Sequence, residues 1–183
     1  MTMKFCETEL AGAFVIDVDY FSDVRGGFVR TYCRDEFEAA GLHAPIVQSA
    51  ASFNAKAGTL RGLHFQEPPY SQAKLVRATA GALYDVIVDL RPESATFGRH
   101  IGVELSAQNR RMLFIPKQFA HGFITLADAT EIEYQFDEVY APGTEGGIHY
   151  ADPELAIRWP RRVEVIGDRD SALPRLRELA LVR

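Results

Sequence analysis

Eight short segments in the middle of the chain are rich in β-branched and aromatic residues and are separated by turn signals such as Gly58, Gly81 and Gly98. They lie near residues 45–53, 59–66, 73–80, 82–91, 99–106, 111–115, 119–126 and 130–137. Many short strands at nearly even spacing are typical of a sandwich or a barrel. The chain has no repeat and no linker-like stretch, so we predict an all-β fold in a single domain over residues 1–183.

Helical signals are weak and peripheral. One helix is predicted near residues 34–41, with Asp35 as a possible N-cap and Gly41 as the stop. A second is predicted near residues 171–181, where leucine and alanine recur at helical spacing. Pro174 is compatible with that helix only in its first turn. Both helices are expected to lie outside the β structure.

Alternation along two strands indicates which side chains face the interior. In residues 130–137, Tyr134 shares a face with the apolar residues two positions away, so we expect it to point inward. In residues 82–90 the face that looks like core is formed by Tyr84, Val86, Val88 and Leu90. Asp85 and Asp89 take the opposite side of that strand, and we expect them to be solvated.

The charge and composition exclude several classes of function. A formal net charge of −5 argues against binding long nucleic acid through bulk electrostatics, but not against a small anionic ligand held by a few arginines. No apolar run is long enough for a membrane helix, and the first residues lack the pattern of a signal peptide. We therefore predict a cytoplasmic protein with no nucleic-acid or membrane partner, in which Cys6 and Cys33 are ordinary thiols.

Chemistry-bearing side chains concentrate in residues 58–77 and 114–123. Taken alone, His64 is either a structural hydrogen-bonding group or a base, and Lys74 is either a surface lysine or a buried cation that needs a partner or a task. His64-Phe65-Gln66 has glutamine where a metal-binding cupin has a second histidine, and His121 supplies only one further nitrogen. We predict no metal.

Five long runs then carry a resemblance to a known family. In chain order they are LRGLHFQEPPYSQAKLVRATAG, YDVIVDLRPESATFG, VELSAQN, FIPKQFAHGF and YAPGTEGGIHYADPELAIRWP. They resemble the dTDP-4-dehydrorhamnose 3,5-epimerases, from about residue 13 to about residue 175. The resemblance implies a cupin jelly-roll β-barrel with short peripheral helices, no metal or redox cofactor, and a homodimer whose N-terminal strand crosses to the partner.

The resemblance also implies roles for individual residues. His64 matches the general base, Asp170 the acid that orients it, Tyr134 the proton donor on the opposite face of the sugar, and Lys74 the cation beside the sugar's C4 oxygen. Eight further positions match residues that bind the nucleotide sugar: Arg25, Phe28, Gln48, Arg61, His121, Tyr140, Glu145 and Arg169. The implied activity is inversion of C3, C5 or both in a nucleotide-linked 4-keto-6-deoxy sugar, through an enolate.

One spacing conflicts with simple strand geometry. Arg61 and His64 are three residues apart, so a regular strand points them to opposite faces, although both are expected to serve one ligand. We therefore hypothesise a bulge or twist at Gly62, which a regular ladder through residues 61–64 would contradict.

The sequence departs from the family pattern at several positions, and alternatives stay open. Arg30 replaces a glutamate and either meets an extra anion or lies in solvent, Ser49 and Ala50 replace Asp-Asn, and Tyr150 replaces a tryptophan. The nucleotide or the sugar could therefore differ. The other readings are a mono-epimerase, a 3,4-ketoisomerase, a metal-dependent cupin oxygenase and a non-catalytic sugar-binding cupin. The biosynthetic pathway is not defined by the sequence.

Overall fold

The computed structural model describes residues 2–43 and 45–179 of the chain. The strands in these residues, numbered in chain order, are β1 (Met3–Glu7), β2 (Phe14–Val18), β3 (Phe21–Asp23), β4 (Gly26–Phe28), β5 (Gln48–Asn54), β6 (Thr59–Gln66), β7 (Lys74–Ala80), β8 (Ala82–Asp89), β9 (His100–Ser106), β10 (Met112–Ile115), β11 (Phe119–Thr125), β12 (Thr130–Phe136), β13 (Glu145–Gly147) and β14 (Val165–Ile166). Two short helices, α1 (Arg34–Ala39) and α2 (Asp168–Ser171), and a 3₁₀ turn at Leu176–Glu178 complete the regular structure. All eight predicted strands are present.

The strands form two antiparallel sheets and a separate hairpin. The first sheet has the order β1-β2-β10-β7-β12-β5, and the second has the order β13-β6-β11-β8-β9. β14 runs parallel to β6 at the start of that strand, and β3 pairs with β4. Neighbours such as β2 and β10 are far apart in sequence, as expected when a chain crosses repeatedly between two sheets. The arrangement confirms the predicted all-β jelly roll.

The space between the sheets is the main core. Val76 of β7 and Ile132 of β12 come from the first sheet, and they pack in one cluster with Leu83 and Ile87 of β8 from the second. All four side chains are fully buried. Tyr134 packs against the edge of this cluster, as its alternation with Ile132 predicts. The polar site described below therefore lies at one end of an apolar interior.

Each sheet is also covered on its outer face. On the first sheet, α1 and the residues after it place Phe37 and Leu42 against an apolar surface that includes Leu75 and Phe114. On the second sheet, residues from Ile148 onward cover the outer face of β8, and the covering side chains include Leu155, Ile157, Trp159 and Leu176. The central strands of the second sheet are consequently buried on both sides.

This double burial makes one expectation wrong. Asp85 and Asp89 are not solvated, since both are 0% exposed. The face formed by Tyr84, Val86 and their neighbours is the outer face of β8, under the covering residues. Leu83, Asp85, Ile87 and Asp89 form the inner face. The buried carboxylate of Asp89 is stabilised by hydrogen bonds from the nearby residues Arg91, Ser94 and Thr96.

The two predicted helices have different outcomes. The first is confirmed as α1, and Gly41, with φ of +79°, follows its end. Asp35 is in its first turn, whereas the N-cap position is Cys33. The second prediction is wrong, because α2 ends at Ser171 and the chain is not helical again before Leu176. Between them the Pro174 carbonyl accepts a hydrogen bond from the His149 amide, which holds this stretch along the covering segment. Residues 180 and 181 of that prediction lie outside the described residues.

Membrane-spanning helices are absent from the part of the chain that the structure describes, since none of its helices has the length and apolar character required.

Candidate active site

His64 of β6 and Asp170 of α2 form a close pair. The Nε2 atom of His64 lies 2.6 Å from one carboxylate oxygen of Asp170, and the other carboxylate oxygen accepts the Gly62 amide at 2.9 Å. Burial lowers the pKa of His64, the hydrogen bond and charge of Asp170 oppose this, and Lys74 and Arg169 lower it further. The pairing leaves Nδ1 as the free ring nitrogen. A neutral histidine held in this way is suited to accept a proton near neutral pH.

A bulge in β6 places Arg61 and His64 on the same face of the strand, opposite two residues of β11 that share a face. His64 is paired with His121 and Arg61 with Phe123, so three steps on β6 match two steps on β11. Gly62, at φ of +110°, lies at the irregularity. A Cβ at this position would lie 2.6 Å from the Cα of Gly122, which is closer than side chains allow. The hypothesis of a bulge at Gly62 is thus confirmed, and glycine is required by both conformation and space.

Tyr134 of β12 belongs to the opposite sheet. Its hydroxyl lies 3.2 Å from the Ser52 hydroxyl, and its ring stacks on Phe136 and meets the edge of His121 at 6.0 Å between centroids. Burial raises the pKa of Tyr134, the hydrogen bond to Ser52 lowers it, and the charge of Asp85 raises it further. The phenol therefore keeps its proton near neutral pH and can donate it.

Lys74 begins β7 and points inward, on the same face as Val76. It is 9% exposed, and burial lowers the pKa of its ammonium to about 8, against the opposing charge of Asp85. No described residue makes a hydrogen bond to this ammonium, which is therefore available to a ligand oxygen. The alternative of a surface lysine is excluded by its burial.

Asp85 is a site residue that the sequence reasoning missed. One of its carboxylate oxygens lies 2.6 Å from Nε2 of His121, and both side chains are buried. Its second oxygen is buried without a hydrogen-bond partner among the described residues. A sequence signal existed, because Asp85 interrupts an otherwise apolar run from Ala82 to Val88. A charge in such a run indicates a costly burial that needs a reason.

The mouth of the site is lined by residues of β6, β7, β13 and α2 and by two loop residues. A cavity of about 210 Å³ is bounded by His64, Phe65, Gln66, Gln72, Lys74, Tyr140, Glu145 and Arg169. The Tyr140 hydroxyl donates a hydrogen bond to Glu145, and the Tyr140 amide donates to the side-chain oxygen of Gln48 at 2.9 Å. Gln48, predicted as a ligand-binding residue, thus holds the loop that carries Tyr140.

The remaining predicted residues divide into two groups. Arg61 lies beside the interior, where its Nε donates a hydrogen bond to Oδ1 of Asn54 at 2.8 Å. The charge of Arg61 lowers the pKa of Tyr134. Arg25 and Phe28 do not line the cavity of His64. They belong to the exposed β3–β4 hairpin, where Arg25 pairs with Asp23.

The departures from the family pattern lie on the periphery. Arg30 lies at the exposed surface, where its guanidinium pairs with a carboxylate oxygen of Glu36 at 2.7 Å. Ser49 and Ala50 are on β5, where Ala50 is opposite Tyr134 in the ladder. Tyr150 stacks on His149 with centroids 4.7 Å apart. The central groups His64, Lys74 and Tyr134 are untouched by these changes.

Gln66, at the position where a metal-binding cupin has a histidine, serves the backbone. Its side-chain nitrogen donates to the Tyr70 carbonyl at 2.8 Å, and its oxygen accepts the Ala141 amide at 2.9 Å. It thereby joins the loop after β6 to the loop that carries Tyr140. Within residues 2–43 and 45–179, no group of three or more histidine, cysteine, aspartate or glutamate side chains is arranged to hold a metal.

A jelly roll with a carboxylate-paired histidine on one sheet, a partly buried tyrosine on the other and a buried lysine at the same end of the interior has the parts needed to move protons at carbon. The fold and the site define the protein as an isomerase of the cupin type.

Comparison with known proteins identifies the family. A sequence profile of the dTDP-4-dehydrorhamnose 3,5-epimerases matches residues 7–178, and the chain belongs to this family. The dTDP-4-dehydrorhamnose 3,5-epimerase of Methanothermobacter thermautotrophicus is 42% identical over 179 residues, which cover 96% of this chain and 95% of that protein.

Solved structures agree with this assignment. The crystal structure of the enzyme from Bacillus anthracis, with TDP and pyrophosphate bound, has a TM-score of 0.93 and 44% identity, covering 96% of this chain and 100% of that one. The Legionella pneumophila enzyme, in complex with dTDP-4-keto-L-rhamnose, has a TM-score of 0.92 and 37% identity, covering 97% and 95%.

Proposed function

We propose that this protein epimerises a dTDP-linked 4-keto-6-deoxy sugar at C3 and C5, by removing a proton from one face of the sugar and returning one to the other. The observation that carries this is the placement of the His64–Asp170 pair on one sheet and of Tyr134 on the opposite sheet. A base and an acid that approach the sugar from two facing sheets are what inversion at a carbon centre requires.

The reaction starts at His64. A ketone at C4 acidifies the hydrogens on C3 and C5, because the electrons left behind move into the C4 oxygen as an enolate. Nδ1 of His64 takes the proton, and the imidazolium that forms is stabilised by the Asp170 carboxylate at 2.6 Å. Asp170 also fixes the tautomer, since it holds the proton on Nε2.

Lys74 and Tyr134 complete the inversion. The Lys74 ammonium binds the enolate oxygen, where negative charge develops in a buried site and an opposite charge is most effective. The Tyr134 hydroxyl then gives its proton to the carbanion from the other face. His64 releases its proton to solvent and Tyr134 recovers one, so the substrate and product differ only in configuration.

The nucleotide is held at the mouth of the cavity. Arg61 and Arg169 supply guanidinium groups suited to diphosphate oxygens. Tyr140 is half-exposed beside Glu145 and offers an aromatic face to the base. Gln48 supports Tyr140, and His121 lies against Tyr134 beside the sugar.

Deuterium uptake tests this function directly. The protein is incubated with dTDP-4-keto-6-deoxyglucose in heavy water, and the product is followed by mass spectrometry and NMR. We expect uptake and inversion at C3 and C5, and loss of both in His64→Ala. Uptake at one carbon defines a mono-epimerase. Failure with the dTDP sugar and with its GDP, CDP and UDP counterparts contradicts an epimerase function.

We further propose a homodimer in which the β3–β4 hairpin supplies Arg25 and Phe28 to the partner's site. Among the described strands β3 and β4 pair only with each other, and Phe21 and Phe28 are 52% and 62% exposed. Mixing Arg25→Ala with His64→Ala tests this, since a mixed dimer has one site with both native residues. Recovery of activity on mixing is expected, and no recovery shows that the hairpin serves its own chain.

We also propose a cytoplasmic location. Cys6 and Cys33 are both free and unpaired with each other, which suits a reducing compartment. Cell fractionation with an antibody against the chain is the test, and recovery outside the cytoplasm contradicts it.

A further inference from the structure

Asp85 is a buried carboxylate that the reaction outlined above does not use. It is 0% exposed on the inner face of β8, and one oxygen is paired with Nε2 of His121 at 2.6 Å. The other oxygen has no hydrogen-bond partner among the described residues. A buried carboxylate with one unsatisfied oxygen is destabilising unless its charge is balanced by a nearby cation.

Lys74 is a buried cation that can balance the negative charge of Asp85. It lies on the inner face of the first sheet, and its buried ammonium has no hydrogen-bond partner among the described residues. The charge of Asp85 raises the pKa of Lys74 against the effect of burial. Four titratable groups line the same cavity as Lys74, namely His64, Tyr140, Glu145 and Arg169, and Asp137 borders Lys74 just after β12. In the same interior, His121 of β11 contacts both Asp85 of β8 and Tyr134 of β12. Asp170 is already bonded to His64 and the Gly62 amide. Asp137 accepts the Ala73 amide and is paired with Lys117.

We propose that Asp85 is a positioning residue whose negative charge keeps Lys74 protonated during epimerisation, with His121 holding the Asp85 carboxylate in place. This inference rests on the proposed function of Lys74 as the group that binds the enolate oxygen. Asp85 does not touch the sugar in this scheme. It acts through Lys74, which has to carry a proton at the moment when the enolate forms.

The direction of the pH effect follows from the site. Burial lowers the pKa of Lys74 to about 8, and the charge of Asp85 opposes that fall. Removing the charge lowers the pKa of Lys74 further, so a larger fraction of the ammonium loses its proton near neutral pH. The alkaline side of the activity profile, which reports this loss, therefore moves to lower pH.

Asp85→Asn is the main variant, and Asp89→Asn is its matched control. Both residues are fully buried carboxylates on the inner face of β8, but Asp89 is paired with Arg91, Ser94 and Thr96 and not with Lys74. Asp85→Ser is a second neutral variant, and Asp85→Glu restores the charge. Profiles of kcat/KM against pH are measured for all of them.

We expect the alkaline limb to move down by about one pH unit or more in both neutral Asp85 variants, which is about a fivefold loss at pH 8 and about a tenfold loss well above it. Asp89→Asn and Asp85→Glu are expected to keep the limb in place. A merely structural role for Asp85 lowers thermal stability without moving the limb, and that result overturns the proposal.

A direct titration separates this inference from the proposed function. The Lys74 side chain is followed by NMR of its labelled carbon beside the ammonium, assigned with Lys74→Gln. A lower pKa of Lys74 in Asp85→Asn but not in Asp89→Asn supports the coupling even if the wild type takes up no deuterium. An unchanged Lys74 titration overturns it even if the wild type is an active epimerase.

Discussion

Asp170→Asn is the substitution that tests the proton-transfer pair most directly. The carboxylate now accepts two hydrogen bonds, from Nε2 of His64 and from the Gly62 amide. An amide keeps one acceptor, which is satisfied by Gly62, and turns its NH₂ group towards His64. Nε2 of His64 then accepts a hydrogen bond, which moves the ring proton to Nδ1 and blocks the nitrogen that is proposed to act as base.

The loss has two parts. A hydrogen bond between charged groups contributes about 1.5–3 kcal/mol, and this stabilisation of the imidazolium disappears. At 1.36 kcal/mol for each factor of ten, the rate falls by about 10-fold to 150-fold from this part alone. The reversed tautomer adds to it, as in other histidine–carboxylate pairs, so a total loss of about 10²–10⁴ in kcat is expected.

Deuterium uptake under single-turnover conditions measures this loss, and the pH profile supplies a second readout. Asp170 raises the pKa of His64, so its removal also moves the acid limb to lower pH. Asp152→Asn is the control, because Asp152 is also buried but accepts only backbone amides of the covering segment. An Asp170→Asn enzyme within about threefold of wild type refutes the assigned base.

Three further predictions concern the donor, the interior and the bulge. Tyr134→Phe is expected to keep deuterium uptake through His64 but to lose inversion by about 10²-fold or more, which NMR of the recovered sugar detects. Burial raises the pKa of Asp89, but hydrogen bonds from Arg91, Ser94 and Thr96 outweigh it and lower the value to about 2. Because the pKa of Asp89 is lower in the folded state, the ionised carboxylate contributes about 2 kcal/mol to the free energy of unfolding above about pH 4, and this contribution is lost as the pH falls towards 2. Denaturant titrations of Asp89→Asn at several pH values are expected to lack this dependence. Gly122→Ala places a Cβ 2.7 Å from the Arg61 carbonyl, so a loss of about 1–3 kcal/mol in unfolding free energy is expected, and an unchanged Tm contradicts the close approach.

The strands and the direction of Tyr134 were predictable because they depend on local pattern. Alternation along β12 places Tyr134 with Ile132, and the core confirms that face. The bulge at Gly62 was also predictable, since Arg61 and His64 could not share a face in a regular strand. In both cases the information lies within a few residues of the position concerned.

The environment of Asp85 and Asp89 depends on residues far away and was not predictable in the same manner. Alternation gives two faces for β8, but it does not say that residues from Ile148 onward cover the outer one. A strand with one apolar face and one face with carboxylates is normally read as half-exposed. Here the partners His121 and Arg91 make burial of the carboxylates possible.

The predicted helix after Ser171 failed for a related reason. Leucines at helical spacing favour a helix locally, but Leu173 and Leu176 pack against different parts of the covering segment and of the second sheet. The His149 amide binds the Pro174 carbonyl and keeps the chain extended between them. Packing against the sheet therefore outweighed a weak local preference.

His64 and Asp170 are 106 residues apart, and they meet only because the covering segment folds back along β6. Formation of the pair is therefore a long-range event that follows the pairing of the strands beneath it. The backbone of this segment joins β6 through Ile148 and the two-residue strand β14, so we expect it to open locally at a lower free energy than the whole fold. Loss of activity on mild destabilisation is expected to precede the loss of β structure, which makes catalysis a sensitive reporter of how firmly this segment is docked.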